Sequence, residues 1–197
     1  MLEYTFKKYF PLKLLCFWVF SAVIVTMSAC SSGPSFSDKE STANGIASMS
    51  FPVGYVNSNT ENRDPYLYDT LVMYSPEGSF NSAKEVVSID VYQLTSQLSD
   101  ERTPESWLHA FVSQQYNGSA IEISNAKMGK YSAKQATYMA TPVGQVFSRT
   151  YLVTVCSDGT YLYVVTCSTK QIPVTDDLNT FKDILKTFSI NKLNSSV

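Results

Sequence analysis

The side chains able to act as nucleophiles or soft metal ligands are few: four cysteines, Cys16, Cys30, Cys156 and Cys167, and a single histidine, His109. A catalytic imidazole needs a nucleophile on one side and an orienting acid on the other. A metal-bound one needs further ligands close by. His109 falls in a helical pattern with Glu105, Ser106, Val112 and Ser113 as neighbours. Ser113 is one turn away, but no acid completes a triad, and neither a cysteine nor a second histidine stands at ligand spacing. A histidine on a helix surface is the expectation. The chain has no Gly-x-Ser-x-Gly elbow, no phosphate-binding glycine loop and no His-Glu-x-x-His. Asn57, Asn59, Glu61 and Asp64 form an oxygen-rich stretch, but it lacks the turn glycine and distal bidentate glutamate of a calcium loop. It reads as a solvated loop. The acidic pairs Asp100-Glu101 and Asp176-Asp177 sit at expected helix starts, where capping and the helix dipole account for them. No catalytic site, cofactor or metal is expected.

Cys30 is different because of what precedes it. Lys7, Lys8 and Lys13 come first, then the apolar run from Leu14 to Thr26, then Met27-Ser28-Ala29-Cys30. Charged, apolar, small is the order of an export signal. The last four residues resemble the lipobox of bacterial lipoproteins, with Met27 in place of the usual leucine. The resemblance implies that Cys30 is acylated and begins the mature chain. Two other readings compete. A transmembrane anchor would need roughly 20 apolar residues, whereas Leu14 to Ala29 is 16 and Pro11 and Lys13 block its extension. A plain secretory signal cut after Ala29 fits the same small residues. One acyl chain holds a protein only marginally at ~0.8 kcal/mol per buried methylene, whereas two or more anchor it. Ser31 is not the aspartate of an inner-membrane retention signal, so the lipoprotein reading implies an extracytoplasmic address, on the outer membrane if the cell has one.

Removing residues 1–29 leaves 168, enough for one domain with a sizeable core. The leader takes Glu3 and three lysines with it, leaving 12 basic and 16 acidic residues of the original 15 and 17. There is no basic cluster, which argues against a nucleic-acid surface. Ser31 to Gly45 is small and polar and reads as a flexible tether within a 30–45 segment, reaching about 20 Å. The domain is expected over 46–190, with a tail over 191–197. Cys156 and Cys167 flank an apparent hairpin. With Asp158-Gly159 as a two-residue turn, Cys156 faces Tyr161 and Cys167 faces Thr150, roughly 17–20 Å apart along one face. A disulfide needs Cα atoms within about 7 Å, so both are expected as buried, unpaired residues.

The elements that would hold these groups are strands broken by two helices. Ile46–Phe51 and Leu71–Tyr74 are short apolar segments ending in turn chemistry, and Val86–Leu94 alternates in period two. Ile121 and Ile123 repeat the alternation, followed by Tyr131 to Thr141. The hairpin is apolar on both faces, with Val153, Val155, Leu162 and Val164 on one and Leu152, Tyr163, Val165 and both cysteines on the other. A sheet buried on both faces calls for cover on each side. Thr103-Pro104-Glu105 opens a helix whose stripe is Trp107, Leu108, Phe111 and Val112, stopped by Gly118. A second helix, from Asp176 or Asp177 to Phe188, turns Leu178, Phe181, Ile184, Leu185 and Phe188 to one side. Tyr66 and Tyr68 could anchor an interface if exposed; packing at a sheet edge is the expectation.

The order of these elements resembles the PsbP-like domains. Phe51-Pro52-Val53-Gly54-Tyr55 matches their "aromatic, Pro, x, Gly, aromatic" opening, with Tyr55 where tryptophan is common. The strand Val86–Leu94, the helix with Glu105-Ser106-Trp107-Leu108, Met128-Gly129 to Ala136, the strand Tyr161-Leu162-Tyr163-Val164-Val165 and a last helix ending at Thr187-Phe188 follow. The resemblance spans about Ser48 to Ile190. It implies an α+β fold, an α/β/α sandwich around a mainly antiparallel sheet, and a non-catalytic module that binds or helps assemble other proteins. An exported small-ligand-binding lipoprotein is the alternative, and a hydrolase with an unrecognised site a weaker one.

Overall fold

A computed structural model of the chain describes residues 34–58, 66–75, 83–94, 103–115, 121–141, 146–170 and 175–191. The leader, Cys30, the stretch Asn59 to Asp64, Asp100-Glu101, Gly118 and the tail from Lys192 lie outside the described residues. In chain order the elements are β1 (Glu40–Ser41), β2 (Ala47–Met49), β3 (Val56–Asn57), β4 (Leu67–Tyr74), β5 (Glu85–Gln93), α1 (Pro104–Gln115), β6 (Ile123–Met128), β7 (Tyr131–Ala140), β8 (Arg149–Ser157), β9 (Tyr161–Thr169), α2 (Thr175–Lys186) and β10 (Ser189–Ile190).

Seven strands form one sheet in the order β3-β4-β5-β9-β8-β7-β6, and every pairing in it is antiparallel. Its two faces are covered differently. On one, Trp107, Leu108 and Val112 of α1 pack on Ala136, Tyr138, Val153, Val155, Leu162 and Val164. On the other, Phe181, Ile184 and Leu185 of α2 join Ile46, Met49 and Phe51 over Val87, Ile89, Leu152, Tyr163 and Val165. The division of β8 and β9 residues between faces is the one their alternation demands. The architecture is therefore α+β, with a central antiparallel sheet between two layers.

Local chemistry fixes the helices. The backbone N–H of Ser106 donates to Thr103 Oγ1 at 3.1 Å, and the two hydroxyls lie 2.8 Å apart, a reciprocal cap on α1. The last turn of α2 is closed by Thr187, whose hydroxyl donates to the Ile184 carbonyl at 2.7 Å and accepts the Ser50 N–H at 2.9 Å. The helix thus ends at Lys186, short of the expected Phe188, because the chain turns there into β10. The β6–β7 turn also docks on this end. Gly129 has φ +56°, and its N–H donates to the Leu185 carbonyl at 2.8 Å. A Cβ at that position would lie 2.1 Å from the Phe188 carbonyl oxygen, so only glycine fits.

Three expectations are corrected. Residues 34–45 do not stand off the domain as a tether. Phe36 bridges Pro52, β1 pairs with β2, and Asn44 N–H donates to Asp69 Oδ1 at 3.0 Å. At the other end, Asn191 is not tail: its N–H donates to the Ile46 carbonyl at 2.7 Å. The hairpin register is the third. Cys156 faces Tyr163 and Cys167 faces Leu152, two residues from the expected pairing. The cause is Asp158, whose Oδ1 accepts the N–H groups of Thr160 and Tyr161 at 2.9 and 2.8 Å. That side-chain turn enlarges the loop. The shift by two keeps every residue on its face. Both cysteines are free and buried, about 13 Å apart along the strands at the usual rise.

Candidate functional site

His109 is exposed on α1, and Ser113 directs its hydroxyl to the Ala110 carbonyl at 2.8 Å rather than to the ring. Glu105, one turn earlier, pairs with Lys134 at 2.7 Å. The hydrogen bond and charge of Lys134 hold its carboxyl below the usual range. This pair lies in an open depression of about 350 Å³ beside the start of α1, lined also by Thr103, Asn125 and Ser132. No group of three metal-ligating side chains occurs among the described residues. Burial pushes the Cys156 thiol up to about 12 and raises Cys167 as well, so neither is a thiolate at neutral pH. These groups remain scattered. Asn57 is exposed in β3, apart from the rest of its acidic stretch, which is not described.

Sequence spacing gave no sign of a largely buried cluster of ionisable groups that the fold assembles. Tyr55, Glu85 and Asp177 are far apart in the chain. They meet where β5 begins, β9 ends and α2 starts. The Tyr55 hydroxyl donates to Glu85 Oε2. Lys84 Nζ lies 3.1 Å from Asp177 Oδ1 and 3.9 Å from Glu85 Oε1, and Thr169 Oγ1 donates to Asp177 Oδ2 at 2.8 Å. Side chains of Glu85 and Asp177 are only 12% and 6% exposed. Behind them the Arg149 guanidinium donates to the carbonyls of Ala83 and Lys84 and to Ser168 Oγ. Desolvation of this buried guanidinium lowers its basicity.

The same end of the sheet carries exposed apolar side chains. The register runs Met139–Thr150–Thr169–Glu85 across β7, β8, β9 and β5, and Val56 faces Tyr74 at the β4 end of this row. Val146 is 85% and Phe147 66% exposed just before β8, with Val53 at 64%, Val56 at 43% and Met139 at 40%. Single surface hydrophobics are ordinary; Val146 and Phe147 stand out as adjacent in the chain and both largely exposed. At the opposite end, Tyr66 and Tyr68 stay partly exposed. They are 52% and 42% exposed, and Tyr68 falls at a register irregularity of β4 between Leu67 and Asp69. The Tyr68 ring lies 5.3 Å from that of Tyr161.

No family model matches the chain, and no curated protein matches its sequence. Solved structures do match in fold. Cyanobacterial PsbP (CyanoP) from Synechocystis sp. PCC 6803 superposes with a TM-score of 0.54 at 14% identity, over 83% of this chain and 97% of that one. The Saccharomyces cerevisiae Ran-binding protein Mog1p gives 0.55 at 10% identity, over 80% and 96%. LpqN of Mycobacterium tuberculosis, described as involved in cell envelope biogenesis, gives 0.51 at 16%, over 74% and 83%. The chain spans 48% of a longer Bacteroides thetaiotaomicron protein with a TM-score of 0.54. At these identities the likeness is one of fold, that of the PsbP and Mog1p structures. No helix among the described residues is long and apolar enough to cross a membrane.

Proposed function

We propose that this chain is a lipid-anchored protein of the cell envelope whose PsbP-like domain binds another protein and catalyses no reaction. One observation carries the binding reading: the adjacent side chains Val146 and Phe147, just before β8, are 85% and 66% exposed. Large apolar side chains on a rigid scaffold are what a partner buries as anchors. A fold shared with a Ran-binding protein and with an envelope protein is compatible with that role. The anchor reading rests on Met27-Ser28-Ala29-Cys30 after an apolar leader, with Cys30 taking the acyl chains on the extracytoplasmic side. The partner is a protein, and no nucleic acid is involved, in keeping with a chain of formal net charge −2. Crosslinking from intact membranes tests the binding reading: a protein adduct that depends on Phe147 supports it, and adducts indifferent to Phe147 refute it.

A further inference from the structure

The chain that follows Cys30 is pinned to the domain at a defined point. The Val53 N–H donates to the Ser35 carbonyl at 2.9 Å, the Ser37 N–H donates to the Phe51 carbonyl at 2.8 Å, and Phe36 bridges Pro52. From there the segment runs away from Val53, antiparallel to the residues before it, until Glu40 faces Met49. Four residues, 31 to 34, separate Ser35 from Cys30. Fully extended, these five steps span at most about 18 Å, and as a flexible chain they average about 12 Å. A folded chain of about 160 residues is about 40 Å across. A leash shorter than half the body it holds restricts which side of that body meets the surface it is fixed to.

We propose that the turn from Pro52 to Val56 rests on the bilayer that carries the acylated Cys30, with Val53 and Val56 at the level of the lipid headgroups. This rests on the lipid-anchor reading above, and it adds a second contact, made by the folded domain itself. The turn is suited to it. Phe51 to Ser58 contains no charged residue, and within it Val53 is 64% and Val56 43% exposed. The exposed acids of the N-terminal segment, Asp38 and Glu40, lie three and five residues beyond Ser35, about 10–17 Å further from the leash at the strand rise. The turn is also held firmly. The Tyr55 N–H donates to the Pro52 carbonyl at 3.2 Å, Gly54 takes φ +98°, and the Tyr55 hydroxyl donates to Glu85 Oε2. Two valines are too small a contact to bring a free domain to a membrane. On a short leash the surface is met at an effective concentration in the millimolar range, on the order of that for other short linkers, and the weak contact is then populated.

Phosphatidylcholine vesicles with a nitroxide on the headgroup test this, with the acylated full-length chain reconstituted in them. A fluorophore is attached through Val53→Cys and, in a second protein, through Thr160→Cys, an exposed position in the β8–β9 loop at the other end of the sheet. Cys156 and Cys167 are buried and do not compete for the label. Quenching at position 53 is expected to exceed that at position 160 at least about threefold. Inserting about twenty Gly and Ser residues after Ser32 should remove at least about half of that excess, because effective concentration falls with linker length. Equal quenching at the two positions, in a chain whose intact mass shows the acyl groups, overturns the membrane contact and leaves the anchor standing. An excess that the longer leash does not reduce also overturns it. A mass without acyl groups overturns anchor and contact together.

Discussion

The Tyr163 hydroxyl donates to Asp158 Oδ2 at 2.8 Å, while Oδ1 of the same carboxylate accepts the N–H groups of Thr160 and Tyr161. One side chain thereby fixes both the loop between β8 and β9 and the ring of Tyr163, which packs edge-on against Phe188 with centroids 5.8 Å apart. The hairpin and the end of α2 are joined through it.

Asp158→Ala is expected to cost about 1 kcal/mol, because its bonds lie on a partly exposed loop. Burial pushes the Asp158 carboxyl up, but hydrogen bonds from Tyr161, Tyr163 and Thr160 outweigh it and hold the group below its usual range. A depressed acid stabilises above its unfolded value and loses that effect as pH falls through the folded value. The gap between variant and parent in urea unfolding should therefore be full at neutral pH and close in acid. A gap that widens in acid would contradict this.

Gly129→Ala should be far more damaging. The added Cβ would sit 2.1 Å from a backbone oxygen at Phe188, at a φ of +56°. A loss of about 2–4 kcal/mol is expected from the backbone clash and strain together. A chemical-denaturation midpoint within error of the parent would show that the β6–β7 turn moves freely off α2.

His109→Ala should change stability by no more than about 0.5 kcal/mol, as an exposed helix position away from the core. Screens against ester, phosphate, peptide and glycoside substrates should give no turnover that tracks the purified protein. Turnover lost in a single-residue variant would overturn the non-catalytic reading.

Cys30→Ser should abolish fatty-acid labelling and leave the leader attached. Metabolic labelling with a fatty-acid analogue reads this directly, and equal label on both proteins would refute the anchor.

The two cores were legible because strand and helix periods sort residues by face without knowledge of partners. Val153, Val155, Leu162 and Val164 fall under α1, and Leu152, Tyr163 and Val165 under α2. The small sheet was not legible. Two of its three strands, β1 and β10, have two residues each, too few for alternation to register. It closes through the distant pair Ser48 and Ser189, with hydroxyls 2.8 Å apart. The loop length was hidden because Asp158-Gly159 suits a two-residue turn until the carboxylate finds Thr160 and Tyr161. The Tyr55–Glu85–Asp177 cluster has no spacing to find, since only the docking of α2 on β5 and β9 assembles it.

Phe147, 66% exposed, gives the most direct test of the proposed function. A photo-crosslinking side chain placed at Phe147 and, as control, at exposed Lys127 on the β6 edge would be activated in intact membranes. Adducts to one discrete protein from position 147, absent from position 127, are predicted, and they should weaken at least about tenfold when Val146 is also changed to Ser, as an interface anchor would. Val146→Ser itself should leave stability within about 0.5 kcal/mol. Equal adducts from both positions, or adducts unaffected by Val146→Ser, would contradict a protein-binding surface at this end of the sheet.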